Sequence, residues 1–364
     1  MVTGPATSGV GMIVVRRDAR GGRGAEPLAA PPEAVSILMR AYRPSFITTA
    51  VLLVALVLGM LGMLGALAGC GGASSAASAG PEKPALAVDA LGNPIAIPAE
   101  APRRIVSETP ADSEMLGALG ADARVVAVDF YTDYPADLAA KPKITNGQTF
   151  TLNDEAILGY KPDLVLGYGG YFKADEQKLI GAGMSVVDLP LVTTVEQSLT
   201  ELRLVGQLLH ADAAANKQLA SLQGRIDAVT HKVAGAQAPS VYMEDGTYND
   251  QYSTFGKGSY GDDLIHLAGG SNIFVTDSDG GGYPNVSAES IIQANPAVIV
   301  TVEGTQVGGD PHAVAARPGW SVIAAVQSGH VYALNPDDFA RPDAPRLVSA
   351  LEELAKALHP DLFA

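Results

Sequence analysis

One cysteine, Cys70, stands in 364 residues, so no disulfide can form within the chain. Charge is also sparse: Asp, Glu, Lys and Arg make up 17 % of the sequence, and the net charge is −15. Arg16, Arg17, Arg20, Arg23, Arg40 and Arg43 outnumber the three acids of residues 1–69, so the negative charge belongs to the remainder. An acidic body excludes nucleic acid as a partner, which needs a basic face. The six histidines (His210, His231, His266, His312, His330 and His359) form no zinc spacing. A G-x-S-x-G nucleophile elbow and a phosphate-binding G-x-x-x-x-G-K-[ST] loop are both missing. Gly256 to Gly261 does spell G-x-G-x-x-G, but the strand-like VYMED lies well upstream. The tight strand–turn–helix context of dinucleotide binding is therefore absent, and the stretch reads as a loop entering a helix. Asp277-Ser-Asp279 opens like a calcium loop, yet Gly281 and Ala288 occupy the positions that need oxygen donors. Nothing here demands catalysis, a resident metal or a cofactor.

Apolar residues, by contrast, reach 47 %, enough for a large core or two lobes. No charged residue occurs between Arg43 and Glu82, and Phe46 to Ala68 is almost wholly apolar. That length could span a bilayer as a permanent anchor or serve as a cleaved export signal. The segment Leu67-Ala68-Gly69-Cys70 resembles the bacterial lipoprotein box, which implies lipidation of Cys70 after removal of residues 1–69. Met39 would open a leader of ordinary size, MRAYRPSFITT, and translation is expected to start there. Residues 70–86 are rich in Gly, Ala, Ser and Pro and read as a flexible tether.

The folded part divides by pattern. VDALGNPIAIP (88–98) alternates around Gly-Asn and reads as a hairpin. In residues 87–194, RIVS, RVVAVD, DLVLGY and SVVDLP look like buried strands, and SEMLGALG and EQKLIGAG look like helices ending at Gly. Residues 195–236 break this alternation with two helices, the second capped by Asp212 and carrying Leu219, Leu222, Ile226, Val229 and Val233 on one face. Strand and helix alternate again through 237–364, ending in a helix over APRLVSALEELAKALHP. The fold class is α/β: two Rossmann-like lobes joined by a long backbone helix.

A repeat supports two lobes. Glu155-AILGYKPDLVL and Glu289-SIIQANPAVIV share a short helix, a proline stop and a buried strand. Asn153 and Ser287 precede the two acids at N-cap spacing, which puts each Glu in a first helical turn. From the repeat alone, both acids could be simple helix-start residues or functional ones.

All but Tyr42 of the 12 tyrosines fall beyond the leader, several in Gly-rich loops after strands: DFYTDYP, GYGGYF, YMEDGTYNDQY and GGGYPN. Ligands of open α/β sheets bind outside the carboxyl ends of strands, and loop aromatics suit that role. Residues 86–364 resemble the periplasmic binding proteins for ferric siderophores, haem and vitamin B12. The matching phrases are VDALGNPIAIPAEAPRRIVS, TDYP, LNDEAILGYKPDLVLGY, DDLIHLAGGSNIF, YPNVSAESIIQANPAVIV and RPGWSVIAAVQSGHVYAL.

The resemblance implies a class III binding-protein fold and a role in uptake. Glu155 and Glu289 fall where this family docks on the arginines of a dimeric ABC permease, whose ATPase subunits are separate chains. Tyr131, Tyr168 and Tyr283 fall on loops lining the cleft, with Tyr171, Tyr248 and Tyr252 nearby; Phe339 and Arg341 fall on the loop of the second lobe that faces ligand. The expected cargo is a ferric siderophore, with cobalamin next and haem third. The B12 binders carry tryptophans where this chain has Tyr168 and Tyr283. A lipid-anchored enzyme or an adhesin is the reading outside this class. The expected location is the outer face of the cytoplasmic membrane, held by the lipid.

Overall fold

The computed structural model describes residues 85–147, 151–248, 251–277, 279–303, 309–339 and 345–364. The leader, Cys70, most of the tether and Arg341 lie outside the described residues, and of Tyr248 only the backbone is described. Among the described residues no helix is long and apolar enough to cross a membrane.

The first half opens with β1 (Ile105–Ser107), α1 (Pro110–Ala118) and β2 (Val125–Ala127). It continues with α2 (Asp154–Tyr160), β3 (Leu164–Tyr168), α3 (Lys173–Gly181) and β4 (Val186–Leu189). The strands pair in the order β2-β1-β3-β4, all parallel. Thr109 caps α1 by accepting from the amide of Asp112, and Pro110 starts it with a preset φ.

Two helices follow, α4 (Val195–Leu208) and α5 (Asp212–Val233). At ~1.5 Å per residue the latter is ~33 Å long. Its buried face is Ala215, Leu219, Leu222, Ile226, Val229 and Val233, at alternating spacings of four and three. Each such large side chain stabilises the fold by roughly 1.5–3 kcal/mol. Gly206 lets α4 and α5 meet, since a Cβ there would collide with the Cβ of Ala215. The expectation that Asp212 caps α5 is corrected. Ala211 is the N-cap and has no side-chain bond, because the turn through His210 (φ 53) already delivers Asp212 into helical backbone as the first helical residue.

The second half contains β5 (Ser240–Tyr248), β6 (Gln251–Thr254), α6 (Tyr260–Leu267), β7 (Ser271–Asn272) and β8 (Asn285–Val286). It ends with α7 (Ala288–Ala294), β9 (Val298–Thr301), β10 (Val331–Ala333) and the long α8 (Leu347–Leu358). Its sheet runs β8-β6-β5-β9-β10, with β7 also on β5. The pairs of β5 with β9 and β7, and of β9 with β10, are parallel, while β6 pairs antiparallel with β5 and β8.

Period-two burial explains the layers. Ile105, Leu164 and Leu166 of the first sheet, and Val241, Met243, Val298 and Val300 of the second, join one core that includes the buried faces of α4 and α5. Val106 and Val165 turn the other way into a cluster with Ile157 and Leu179. Tyr242 and Ile299 do the same in the second half, against Ile291 and Trp320. Both sheets are therefore covered on both faces, as parallel strands require. The N-terminal hairpin is shorter than its pattern suggests: one antiparallel bridge joins Val88 and Pro94. Two backbone bonds flank the bridge, from the Asp89 amide to the Asn93 carbonyl at 2.9 Å and from the Ile95 amide to the Ala87 carbonyl at 3.0 Å, and the Asp89 carboxylate also accepts from the amide of Asn93 at 2.7 Å.

Candidate functional site

The carboxyl ends of the first sheet lead into two aromatic loops. After β2, buried Asp129 anchors the turn by accepting from the amide of Tyr131 at 2.6 Å and the hydroxyl of Thr145 at 2.5 Å. Burial raises its pKa, and these donors pull it part of the way back. Tyr131 donates its hydroxyl to the carbonyl of Gly147 and meets Phe130 edge-on. After β3, Gly169 and Gly170 both adopt φ +70, a left-handed pair that turns the chain and presents Tyr171 with 44 % exposure. Tyr168 lies beneath, buried, its ring centre 6.1 Å from that of Tyr171 and its hydroxyl oxygen accepting from the amide of Val192.

In the second half the last parallel pair is Thr301 opposite Glu244. Tyr283, in the loop before β8, packs edge-on to Phe255 at 5.7 Å and 6.3 Å from Tyr260. Burial pushes the Tyr283 hydroxyl pKa up, and the charges of Asp245 and Tyr171 add to this. Asp245 is itself pushed up to about 6 by burial. Tyr171 belongs to the first half and Tyr283 to the second, and an ionised Tyr171 is close enough to raise the Tyr283 pKa.

Two expected site residues are placed elsewhere. Tyr252 is buried in the outer cluster of the second half, with the guanidinium of Arg317 4.7 Å above its ring and equally close to Trp320. Arg317 also binds Glu244 through two bonds of 2.6 and 2.7 Å, and Tyr242 donates to the same carboxylate at 2.9 Å. An internal arginine thus claims the Tyr252 ring as its cation–π platform. Phe339 is 1 % exposed in the inner core, and its carbonyl accepts from the Tyr260 hydroxyl at 2.6 Å. Neither ring has surface to offer the cleft.

The repeated acids occupy equivalent places. Glu155 and Glu289 are both exposed, each the second residue of a seven-residue helix. Asn153 accepts from the amide of Ala156, and Ser287 from that of Ser290. Both helices end on a left-handed residue, Lys161 at φ 49 and Asn295 at φ 47, followed by Pro162 and Pro296. The Glu289 pKa is lowered, first by its own amide and then by Ser287. A cavity of about 460 Å³ opens beside Glu155, lined in part by Lys143, Thr145, Asp154 and Lys178.

The sequence reading passed over the acids at the strand ends. Glu108 directly after β1, Asp188 in β4 and Glu244 in β5 are all fully buried. The available signal was a charged residue inside or abutting an otherwise apolar strand, in IVSE, VVDL and VYME.

Residues 105–337 match the model of the periplasmic binding protein family. The chain belongs to that family. Family membership makes it a substrate-binding protein that works outside the cytoplasm, not an enzyme. It is similar to an uncharacterized ABC transporter substrate-binding lipoprotein, YvrC, of Bacillus subtilis, at 29 % identity over 77 % of this chain and 87 % of that one. Among solved structures it is similar to the periplasmic vitamin B12 binding protein BtuF of Vibrio cholerae. That match has a TM-score of 0.60 and 27 % identity, over 71 % of this chain and 97 % of the other. A periplasmic heme binding protein from Pseudomonas aeruginosa matches with a TM-score of 0.60 and 25 % identity, over 71 % of this chain and 93 % of the other. The two-sheet architecture with a long linking helix is the fold these binding proteins share.

Proposed function

We propose that this chain is the lipid-anchored receptor of an ABC transporter that captures a bulky metal chelate between its two halves. The observation that carries the reading is the pair Tyr171 and Tyr283, one from each half, Tyr171 in the loop after β3 and Tyr283 in the loop before β8. Flat aromatic rings on rigid frames give large contact area at low entropic cost, which suits a planar macrocycle or an iron chelate. Tyr131 and the buried Tyr168 support the same rim from the first half. Relatives named for vitamin B12 and for heme favour a corrinoid or haem as much as the ferric siderophore suggested by the sequence. Delivery is assigned to Glu155 and Glu289, matched acids that can enter arginine-bearing pockets of a two-fold permease. The lipoprotein box at Cys70, together with the lipoprotein relative, supports the anchor.

The test is a tyrosine and tryptophan fluorescence titration of the protein with cyanocobalamin, haem, a ferric hydroxamate and a ferric catecholate. Saturable quenching by one of them identifies the cargo class. Silence across the panel removes the metal-chelate reading and leaves the fold untouched.

A further inference from the structure

Three acids face one another in the interior of the first half. Glu108 follows β1, Asp188 lies in β4, and Glu176 reaches across from α3; their exposures are 0, 0 and 1 %. Gly167 of β3 sits between them. A Cβ there would collide with Glu176 Oε1 and stand 2.9 Å from Glu108 Oε2, so the missing side chain is what gives the carboxyl groups room. Both oxygens of Glu108, both of Asp188 and Oε2 of Glu176 lack a donor at full hydrogen-bonding geometry. Burying a bare carboxylate is expensive, and burying three together is far more so.

The charges acting most strongly on the three are all acids: Asp112 from α1, Asp89 from the N-terminal turn, Asp175 from α3, and the three themselves. The second half solves the equivalent problem differently, with Arg317 on Glu244. Among the described residues no group of three or more His, Cys, Asp or Glu is arranged to hold a metal ion. Glu176 nevertheless stands within hydrogen-bonding reach of both Glu108 and Asp188. Two carboxylates can make such a bond only when one of them carries a proton.

We infer that Glu108, Glu176 and Asp188 form a proton-holding site beneath the Gly169–Tyr171 loop, closed by shared protons and opened by their loss to water. Burial, and then the charge of Glu176, raise the Glu108 pKa and push that of Asp188 up to about 8. Burial raises Glu176 as well. The amide of Gly170 approaches Asp188 from the loop above and favours its charged form, but the repulsion from Glu176 is the larger effect. Deprotonation puts like charges side by side under Tyr171 and loosens the turn that presents it. The consequence for cargo binding rests on reading that loop as cleft lining; the proton site does not.

The experiment uses the full chain in mild detergent, without ligand. Infrared absorption of protonated carboxyl groups is followed as pH rises, for the native protein and for Glu108→Gln, Glu176→Gln and Asp188→Asn. The native protein should show a protonated-carboxyl band at neutral pH that loses intensity as Asp188 ionises, and the band should be smaller in each variant. Hydrogen exchange of a peptide covering 167–172 should speed up more at high pH in the native protein than in Asp188→Asn. Two results overturn the inference. One is a neutral-pH spectrum without that band. The other is stabilisation by calcium or magnesium chloride in the native protein that Glu108→Gln abolishes, which would make this a cation site. Three separate variants keep the test intact if one fails to fold. Because no cargo is used, failure here and failure of the chelate reading are distinguishable.

Discussion

Arg346, at the start of α8, places its guanidinium on both oxygens of Glu114 in α1, 232 positions earlier in the chain. The Nε to Oε2 distance is 2.9 Å, and the ring of Tyr134 lies 4.9 Å from the guanidinium carbon. This pair joins the two halves without passing through the linking helices. The linking helix α4 is in turn fixed to the second half, where the amide of Val195 donates to Asp263 of α6 at 2.8 Å. The halves are therefore held by polar contacts as well as by the shared apolar core, and large opening must break them.

The first prediction concerns that tie. The Glu114 side chain is 1 % exposed and that of Arg346 23 %. Removing one partner of a buried pair costs about 3–5 kcal/mol, and the partial exposure of Arg346 puts Arg346→Ala at or below the low end. Arg346→Lys should recover only part of the loss, because an ammonium cannot fork. Urea unfolding measures both, and an unchanged midpoint for Arg346→Ala would remove the pair from the account of stability.

The second prediction concerns delivery. Replacing Glu155 and Glu289 by Arg reverses two exposed charges and disturbs no buried contact. Cargo affinity should stay within error and the urea midpoint should fall only slightly, by about 0.3–1 kcal/mol per helix start, while uptake in cells is lost. Equal loss of affinity and uptake would place these acids in the cargo site instead.

Much of this architecture is legible in the sequence, because its signals are local. The buried strands are short apolar runs, the repeat fixes two equivalent helix–proline–strand units, and Asn153 and Ser287 cap where their spacing says. What the sequence hides depends on long-range packing. Tyr252 and Phe339 sit near Gly and Pro like the exposed aromatics, and only the positions of Arg317 and Tyr260, far along the chain, draw them inward. Asp212 has the right residue type for a cap but the wrong backbone beneath it. The buried acids look like ordinary polar residues until three strands and a helix bring them together.

The third prediction separates the exposed from the buried tyrosines. Tyr171→Ala should weaken cargo binding by about 1–3 kcal/mol, as expected of an aromatic anchor, and leave thermal stability nearly unchanged. Tyr252→Ala should do the reverse, costing about 3–5 kcal/mol of stability as a large core truncation. Parallel melting curves and titrations decide, and a binding loss for Tyr252→Ala without destabilisation would return it to the cleft.

The last prediction is a pH dependence in the second half. Glu303 follows β9, is nearly buried, and has no partner for Oε1. Burial first, and then the negative charge of Glu244, push its pKa up to about 7, although Arg317 and the amide of Thr247 pull it back. In the unfolded chain it returns to the ordinary value of 4.5. A group whose folded pKa is raised binds its proton more tightly when folded. Its contribution to stability is therefore fully present below about pH 4.5, shrinks as the unfolded chain ionises, and is gone once the pH passes through about 7. Glu303→Gln keeps the shape and removes the titration. Urea midpoints for the native protein should fall relative to Glu303→Gln between mildly acidic and mildly alkaline buffer, by roughly 2–3 kcal/mol of stability. The contribution of the Glu108 cluster is common to both proteins and cancels in this difference. Parallel pH profiles would mean that Arg317, already shared with Glu244, also holds Glu303 ionised in the folded state.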